Sequence, residues 1–136
     1  MKGELVFPDV EDIELYDPGT ENLVAKASCK EVIRHGNGKK KIVLVDCGVK
    51  HNIIRCLLKR DVEVIRVPWD YDFNTLEYDG LFISNGPGNH EYCTETVNNL
   101  KKALEGDKPI FGICMGNQLL SIAGGAKIYK LKYIQT

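Results

Sequence analysis

The 136-residue sequence lacks long apolar runs, paired-cysteine motifs and a strong net charge of either sign. No apolar stretch approaches the length of a membrane-spanning helix. A formal net charge of −1 gives no reason to expect nucleic acid or an anionic membrane as a partner. The first seven residues also lack the apolar core of a secretory signal peptide. We therefore expect a protein that binds neither nucleic acid nor membranes.

The cysteines are few and scattered. None of the five forms a C-x-x-C pair, and an odd number suits no closed set of disulfides. Free thiols in a reducing compartment are the simplest interpretation, so the cytoplasm is the expected location. A mitochondrial location is the alternative, because a targeting segment upstream would leave these residues unchanged. No metal site is expected, since the cysteines lack ligand spacing.

Apolar runs alternate with segments of helical periodicity from Lys41 onward. Strands are predicted at residues 42–46, 62–67, 80–84 and 110–113, helices at 53–60, 92–104 and 119–123, and a half-exposed strand at 127–133. The run at 110–113 is apolar throughout, which predicts a strand buried on both faces. The alternation indicates an α/β fold with an open, mostly parallel, doubly wound sheet.

The first 40 residues differ from the rest, being rich in acidic and turn-forming residues with little periodicity. One short extended segment is predicted within residues 23–33. Residues 35–41 combine glycine and lysine and indicate a linker. We predict that residues 1–40 are a linker and the tail of an upstream domain, and that residues 41–136 belong to a second domain.

The most informative stretch runs from Ile110 to Gln118, where a strand leads directly into a helix. Gly112 and Gly116 bracket Cys114, which allows a tight turn and a close approach of a ligand. A cysteine at this corner lies at a helix N-terminus, where unpaired N–H groups and the helix dipole favour a thiolate and can hold an oxyanion. This pattern is the cysteine form of the nucleophile elbow. A buried structural cysteine is the alternative interpretation.

A second motif, Asn85-Gly-Pro-Gly-Asn89, directly follows a predicted buried strand. Its glycines give a bare turn whose N–H groups can face a ligand, although a plain loop has the same composition. Polar turns therefore follow three strands, at residues 46–48, 85–89 and 114. Ligands of open α/β sheets bind at the carboxyl ends of strands, so these turns predict one site.

Together, the Gly-Ile-Cys-Met-Gly and Asn-Gly-Pro-Gly motifs resemble those of class I glutamine amidotransferases. The stretches at residues 47–55 and 67–70 look like the small chain, or fused amidotransferase region, of carbamoyl-phosphate synthetase. The similarity extends from about Leu23 to Tyr133. It implies a flavodoxin-like amidotransferase domain that is incomplete at its C-terminal end.

The resemblance implies a role for each matching position. Cys114 matches the nucleophile that attacks the glutamine side-chain amide. Gly86 and Gly88 match the turn that contacts glutamine and its oxyanion. Met115 matches the position whose backbone N–H completes the oxyanion hole, and Gln118 matches a residue that contacts bound glutamine.

The implied reaction is the release of ammonia from glutamine through a cysteine thioester, for carbamoyl phosphate synthesis. The implied partner is a synthetase large chain or fused synthetase domain, which uses ATP, magnesium and bicarbonate. No cofactor is expected in this domain. The resemblance assigns the reaction to either pyrimidine or arginine synthesis without distinguishing them.

The family triad is Cys-His-Glu, and its His and Glu match no position up to Thr136. We interpret His35, His51 and His90 as surface histidines, because none matches the family's base. The resemblance therefore leaves open whether these 136 residues hydrolyse glutamine by themselves. The alternative is a catalytically inactive module that binds glutamine or docks on the synthetase.

Two positions near the motifs also depart from the family pattern. Asn117 stands where the family more often has His, and Asn89 stands where Asp is common. Neither position belongs to the triad, so we expect modest effects.

Overall fold

The computed structural model describes residues 17–129, which contain a five-stranded sheet. Its strands are β1 (Ile33–His35), β2 (Lys40–Asp46), β3 (Val62–Pro68), β4 (Gly80–Ile83) and β5 (Ile110–Gly112). The order across the sheet is β1-β3-β2-β4-β5. Only β1 runs antiparallel to its neighbour, and the other three pairings are parallel. The predicted open, mostly parallel sheet is confirmed.

Within residues 17–129, four α-helices connect or flank these strands. They are α1 (Leu23–Ala27), α2 (His51–Leu58), α3 (Thr94–Ala103) and α4 (Met115–Ala123). Single 3-10 turns lie at Pro18–Thr20, Phe73–Thr75 and His90–Tyr92. None of the helices within residues 17–129 is long and apolar enough to cross a membrane.

Helices cover both faces of the sheet, as the doubly wound prediction requires. Side chains alternate between faces along a strand, so Val43 and Val45 of β2 meet the core formed with α3 and α4. Leu44 points to the opposite face, where it packs in a second core with Ile54 of α2. Leu100 of α3 is fully buried. The fold is therefore held by two apolar layers, one on each side of β2.

The direction of winding changes beside β2. The chain leaves β2 through α2 to reach β3 on one side, and β4 lies on the other side of β2. The connections after β2 and β4 therefore diverge to opposite faces and open a crevice between them. This is the topological switch point at which open α/β sheets bind ligands.

One predicted strand has a different environment from the one expected. The strand predicted at residues 110–113 is present as β5, but the prediction that it is buried on both faces is wrong. Within the described residues β5 is an edge strand, and Phe111 is 60% exposed while its ring packs at 5.4 Å from that of Phe82. An all-apolar run does not distinguish an edge strand from a central one.

The N-terminal segment is more ordered than the sequence predicts. Leu23–Ala27 is helical rather than extended, with the Asn22 side chain accepting the N–H of Ala25 as an N-cap. Val24 is 1% exposed and belongs to the main core. The linker predicted at residues 35–41 is also wrong, because Ile33–His35 pairs with β3 and Lys40 already begins β2. The assignment of residues 1–40 as a whole to a linker and the tail of an upstream domain stays a prediction.

Smaller differences concern element ends. The helix predicted from Tyr92 begins at Thr94, because Tyr92 closes the preceding 3-10 turn. The half-exposed strand predicted at residues 127–133 is wrong at Lys127–Tyr129, which are irregular, and its remaining positions lie outside the described residues.

Candidate functional site

Cys114 lies at the corner between β5 and α4, as the elbow pattern predicts. Its backbone has φ 53° and ψ −110°, a combination that non-glycine residues rarely adopt. Such strain is kept only where the surrounding structure imposes it, and it is common at functional sites. The Cys114 side chain is exposed, which excludes the alternative of a buried structural cysteine.

The two bracketing glycines are required by packing between the strand and the helix. A Cβ on Gly112 would lie 2.5 Å from the carbonyl carbon and oxygen of Gly116. A Cβ on Gly116 would lie 2.2 Å from the carbonyl oxygen of Ile83 in β4. Both contacts are with backbone, which cannot move aside cheaply. The sequence-based reasons for these glycines, a tight turn and the approach of a ligand, are therefore incomplete, because the glycines also allow α4 to begin against the sheet.

The first turn of α4 presents the two other predicted residues of the elbow. The Met115 side chain is 3% exposed and packs in the core, so only its backbone can serve the site. Its N–H has no hydrogen-bond partner within residues 17–129. Gln118 has an exposed side chain, and its N–H donates to the carbonyl oxygen of Cys114 at 3.1 Å.

The Asn85–Asn89 turn packs on the turn that follows β2. A Cβ on Gly86 would lie 2.1 Å from the carbonyl oxygen of Cys47, so this position excludes any side chain. Gly88 has φ +83°, a conformation that favours glycine, and lies beside Leu23 of α1. The glycine at each position is therefore explained by backbone geometry alone.

A cleft of about 570 Å³ joins the three turns at the switch point. Its walls come from all three turns and from the start of α2, and the residues are Gly48, Lys50, Ile53, Asn85, Gly86, Pro87, Ile113 and Cys114. The predicted residues Cys114 and Gly86 thus share one cleft. Gly88, Met115 and Gln118 are not among its lining residues, although Met115 directly follows Cys114.

Sequence reasoning missed Lys50 and Ile53 as lining residues. Both lie at the beginning of α2, just beyond the Asp46-Cys47-Gly48 turn that the sequence had marked. The N-cap position of the helix after that turn was the available signal, because it lies at the carboxyl end of β2.

The turn after β2 is fixed by the buried carboxylate of Asp46. One oxygen accepts the N–H groups of Gly48 (2.9 Å) and Val49 (2.8 Å). The other accepts the N–H of Cys29 at 2.8 Å and two bonds from the Arg66 guanidinium at 2.8 and 2.6 Å. Burial by itself would raise the pKa of Asp46, but the three backbone N–H groups and Arg66 together hold it below its usual value.

The other cysteines differ from Cys114 in burial. Cys47 and Cys93 are fully buried, and burial is the main cause that raises the pKa of each thiol, that of Cys93 to about 11. Burial and the Asp46 carboxylate raise the pKa of Cys29 to about 11. Cys56 is exposed on α2 and is not among the cleft-lining residues. Cys114 is thus the one cysteine that lines the cleft.

None of the three histidines lines this cleft. His51 is exposed at the first position of α2. His90 begins a 3-10 turn and lines a separate cleft of about 540 Å³ against α3. His35 ends β1, and its Nε2 atom is buried without a hydrogen-bond partner in the part of the chain that the structure describes. No group of three His, Cys, Asp or Glu residues within residues 17–129 could hold a metal ion.

The fold and the elbow define an open α/β protein with an exposed cysteine at a strand-to-helix corner. The model of the family "Glutamine amidotransferase class-I" matches residues 43–136. The chain belongs to this family. The resemblance stated from the motifs is confirmed.

Relatives specify the family further. The chain is 53% identical to multifunctional protein CAD of Squalus acanthias, with 98% of this chain and 6% of that protein covered. It is 51% identical to mitochondrial carbamoyl-phosphate synthase [ammonia] of Aquarana catesbeiana, with 95% and 9% covered. It is 43% identical to the arginine-specific small chain of carbamoyl phosphate synthase of Saccharomyces cerevisiae, with 96% and 34% covered.

A solved structure supports the fold. The crystal structure of a putative GMP synthase subunit from Thermoplasma acidophilum superposes with a TM-score of 0.62 at 31% identity, covering 74% of this chain and 52% of that one. The chain therefore spans about half of the structural neighbour, and a tenth or less of the shark and frog proteins.

Proposed function

We propose that this chain carries the glutamine-binding and thioester-forming part of a glutaminase that supplies ammonia to a carbamoyl-phosphate synthetase. The observation that carries the proposal is the strained, exposed Cys114 in the same cleft as the Gly86 turn. The relatives support the synthetase as the partner, either as a separate chain or as a fused portion.

The first step is the addition of the Cys114 thiolate to the side-chain carbonyl carbon of glutamine. A C–S bond forms, and the carbonyl oxygen takes the electron pair as an oxyanion. The unpaired N–H of Met115 and the N–H groups of the Gly86 and Gly88 turn would hold this charge. Gln118, exposed one turn into α4, would contact the amino-acid end of glutamine.

The second step breaks the C–N bond. The amide nitrogen accepts a proton and leaves as ammonia, which gives a glutamyl thioester on Cys114. Water then adds to the thioester, releases glutamate and returns the thiol. The base that transfers these protons matches none of the three histidines in the sequence, so the proposal assigns to this chain only the nucleophile and the oxyanion donors.

A second candidate function is supported by the name of the frog relative, carbamoyl-phosphate synthase [ammonia]. The name of that protein includes ammonia and does not include glutamine. In this second case the chain would bind glutamine or dock on a synthetase without hydrolysing glutamine. The names also leave open both the cytoplasm and the mitochondrion as the location.

Glutamine binding and glutamate release by the chain, each measured beside a Cys114→Ser variant, separate the candidates. Glutamate release that is lost in Cys114→Ser supports the glutaminase. Saturable binding without release supports the second candidate. If the chain neither binds glutamine nor releases glutamate, the result would contradict a glutamine site in this chain.

A further inference from the structure

We propose that Ser84 is a positioning residue of the glutaminase site, and that its hydroxyl sets the direction of the Gly86 N–H. This inference rests on the proposed function, in which that N–H faces the oxyanion. Ser84 directly follows β4 and is fully buried, although it does not line the cleft.

Ser84 makes hydrogen bonds to elements on both sides of β4. Its N–H donates to the carbonyl oxygen of Val45 in β2 at 3.1 Å, and its own carbonyl accepts the N–H of Gly116 in α4 at 3.0 Å. Its Oγ accepts the N–H of Cys47 at 2.9 Å and donates to the carbonyl oxygen of Asn85 at 2.8 Å. One buried residue thus connects the turn after β2, the glycine turn and the Cys114 elbow.

The bond to Asn85 has a direct consequence for Gly86. The carbonyl of Asn85 and the N–H of Gly86 belong to the same planar trans peptide, so they point in opposite directions. A hydroxyl that holds the carbonyl toward the buried Ser84 therefore directs the N–H of Gly86 away from Ser84. Gly86 lines the cleft, so this N–H is held without any contact between Ser84 and a ligand.

Two further hydrogen bonds hold the glycine turn through the Asn85 side chain, and the Ser84 hydroxyl adds the bond to the Asn85 carbonyl. The Asn85 side chain accepts the N–H of Lys50 at 3.2 Å and donates to the carbonyl oxygen of Gly48 at 3.3 Å. These two bonds hold the Asn85 side chain, and neither involves the peptide group between Asn85 and Gly86. Within residues 17–129 the Ser84 hydroxyl is the partner of the Asn85 carbonyl, and its loss also leaves the buried N–H of Cys47 unpaired.

The chain offers a matched control at Ser28. The Ser28 hydroxyl is also buried, accepts a backbone N–H from a distant residue, Trp69, at 3.0 Å, and donates to the carbonyl of the next residue, Cys29, at 3.2 Å. Ser28→Ala therefore removes the same atom and the same two kinds of bond as Ser84→Ala. It leaves the peptide between Asn85 and Gly86 unchanged.

The test is the rate at which Cys114 is alkylated in the 136-residue chain by two reagents. One is the chloromethyl ketone analogue of L-glutamine. Its ketone oxygen occupies the oxyanion position, and the Cys114 thiolate displaces chloride, so that a C–S bond forms as the C–Cl bond breaks. The other is iodoacetamide, which needs no oxyanion hole. We expect Ser84→Ala to slow the chloroketone about tenfold or more while the iodoacetamide rate at Cys114 stays within about twofold. Ser28→Ala should leave both rates near those of the wild type.

An unchanged chloroketone rate in Ser84→Ala would overturn the positioning role, as would an equal slowing of both reagents. If Ser84→Ala shows no cooperative thermal transition, Ser84→Cys takes its place, because the thiol fills the position but is a weak hydrogen-bond donor. In Ser84→Cys we also expect slower alkylation of Cys114 by the chloroketone and an unchanged rate with iodoacetamide. Peptide mapping distinguishes labelling of Cys114 from labelling of the introduced thiol. Equal labelling of the wild type by the L and D chloroketones would contradict the glutamine site itself, and the positioning role with it.

Discussion

Gly116 lies against Ile83 so closely that a Cβ built on it would be 2.2 Å from the Ile83 carbonyl oxygen. The N–H of Gly116 also donates to the carbonyl oxygen of Ser84 at 3.0 Å. The second glycine of the Cys114 elbow therefore fixes the distance between α4 and β4. This contact holds Cys114 beside the glycine turn that follows β4.

We expect Gly116→Ala to lower the free energy of unfolding by about 2 kcal/mol, because the added methyl group would overlap the backbone carbonyl group of Ile83. Urea unfolding measures the change. Gly124→Ala is the matched control at the other end of α4, where the nearest atom to a Cβ is 3.5 Å away and φ is −77°. A Gly116→Ala variant as stable as Gly124→Ala would contradict the packing account.

The strained backbone of Cys114 predicts that a glycine introduced at this position stabilises the fold. Glycine adopts positive φ without a steric penalty, so Cys114→Gly should raise the free energy of unfolding by about 1 kcal/mol relative to Cys114→Ala. Cys56→Gly provides the comparison, because Cys56 lies inside α2 with ordinary helical geometry and should lose stability relative to Cys56→Ala. The account fails if both positions respond to glycine in the same direction.

The buried carboxylate of Asp46 predicts the response to pH. Its folded-state pKa is lowered, so its contribution to stability is complete above the unfolded pKa of about 3.9 and declines as the pH falls below that value. Asp46→Asn should cost about 3 kcal/mol at neutral pH, because the Arg66 guanidinium loses its buried partner.

The difference in stability between the wild type and Asp46→Asn should therefore narrow between pH 4 and pH 2, a range set by that unfolded pKa of about 3.9. Asp107→Asn is the control, since Asp107 is exposed and its substitution should leave both the stability and its pH dependence close to those of the wild type. A constant difference between wild type and Asp46→Asn across this range would contradict the role of ionised Asp46.

The five thiols should divide into two groups by reactivity. Cys47 and Cys93 are buried, and Cys29 is half-buried. The pKa of Cys29 and that of Cys93 are each raised to about 11. These three thiols should therefore react slowly with iodoacetamide at pH 8. Cys56 and Cys114 are exposed and should react first. Peptide mass spectrometry after timed alkylation gives the order, and unfolding in urea should make all five reactive. Early labelling of Cys47 or Cys93 in the folded chain would contradict the core described above.

The sequence predicted the elements that depend on strong local patterns. The run at 42–46 is entirely apolar before Asp46 and becomes the central strand β2, and the Gly-x-Cys-x-Gly spacing correctly predicts the corner at Cys114. Helix α1 and strand β1 were missed because each is short and depends on tertiary contacts. Val24 enters the core, and Ile33–His35 has no partner until β3 forms.

Polar contacts across the sheet were harder to predict than the turns themselves. The motif at residues 85–89 marked the glycine turn, but nothing in the sequence connects Ser84 with Cys47, 37 positions away. The same holds for Asp46 and Arg66, which meet only because β2 and β3 are parallel neighbours with Leu44 opposite Arg66. Register decides such pairs, and register follows from the assembled sheet.

Protection of Cys114 from iodoacetamide by glutamine tests the central claim most directly, because it requires the cleft but no catalytic base. Cys56, exposed on the same chain and outside the cleft, is the internal control. The account predicts that L-glutamine slows alkylation of Cys114 in a saturable manner, that D-glutamine does so less, and that the rate at Cys56 is unchanged. Alkylation of Cys114 at the same rate with and without L-glutamine would contradict a glutamine site at this elbow.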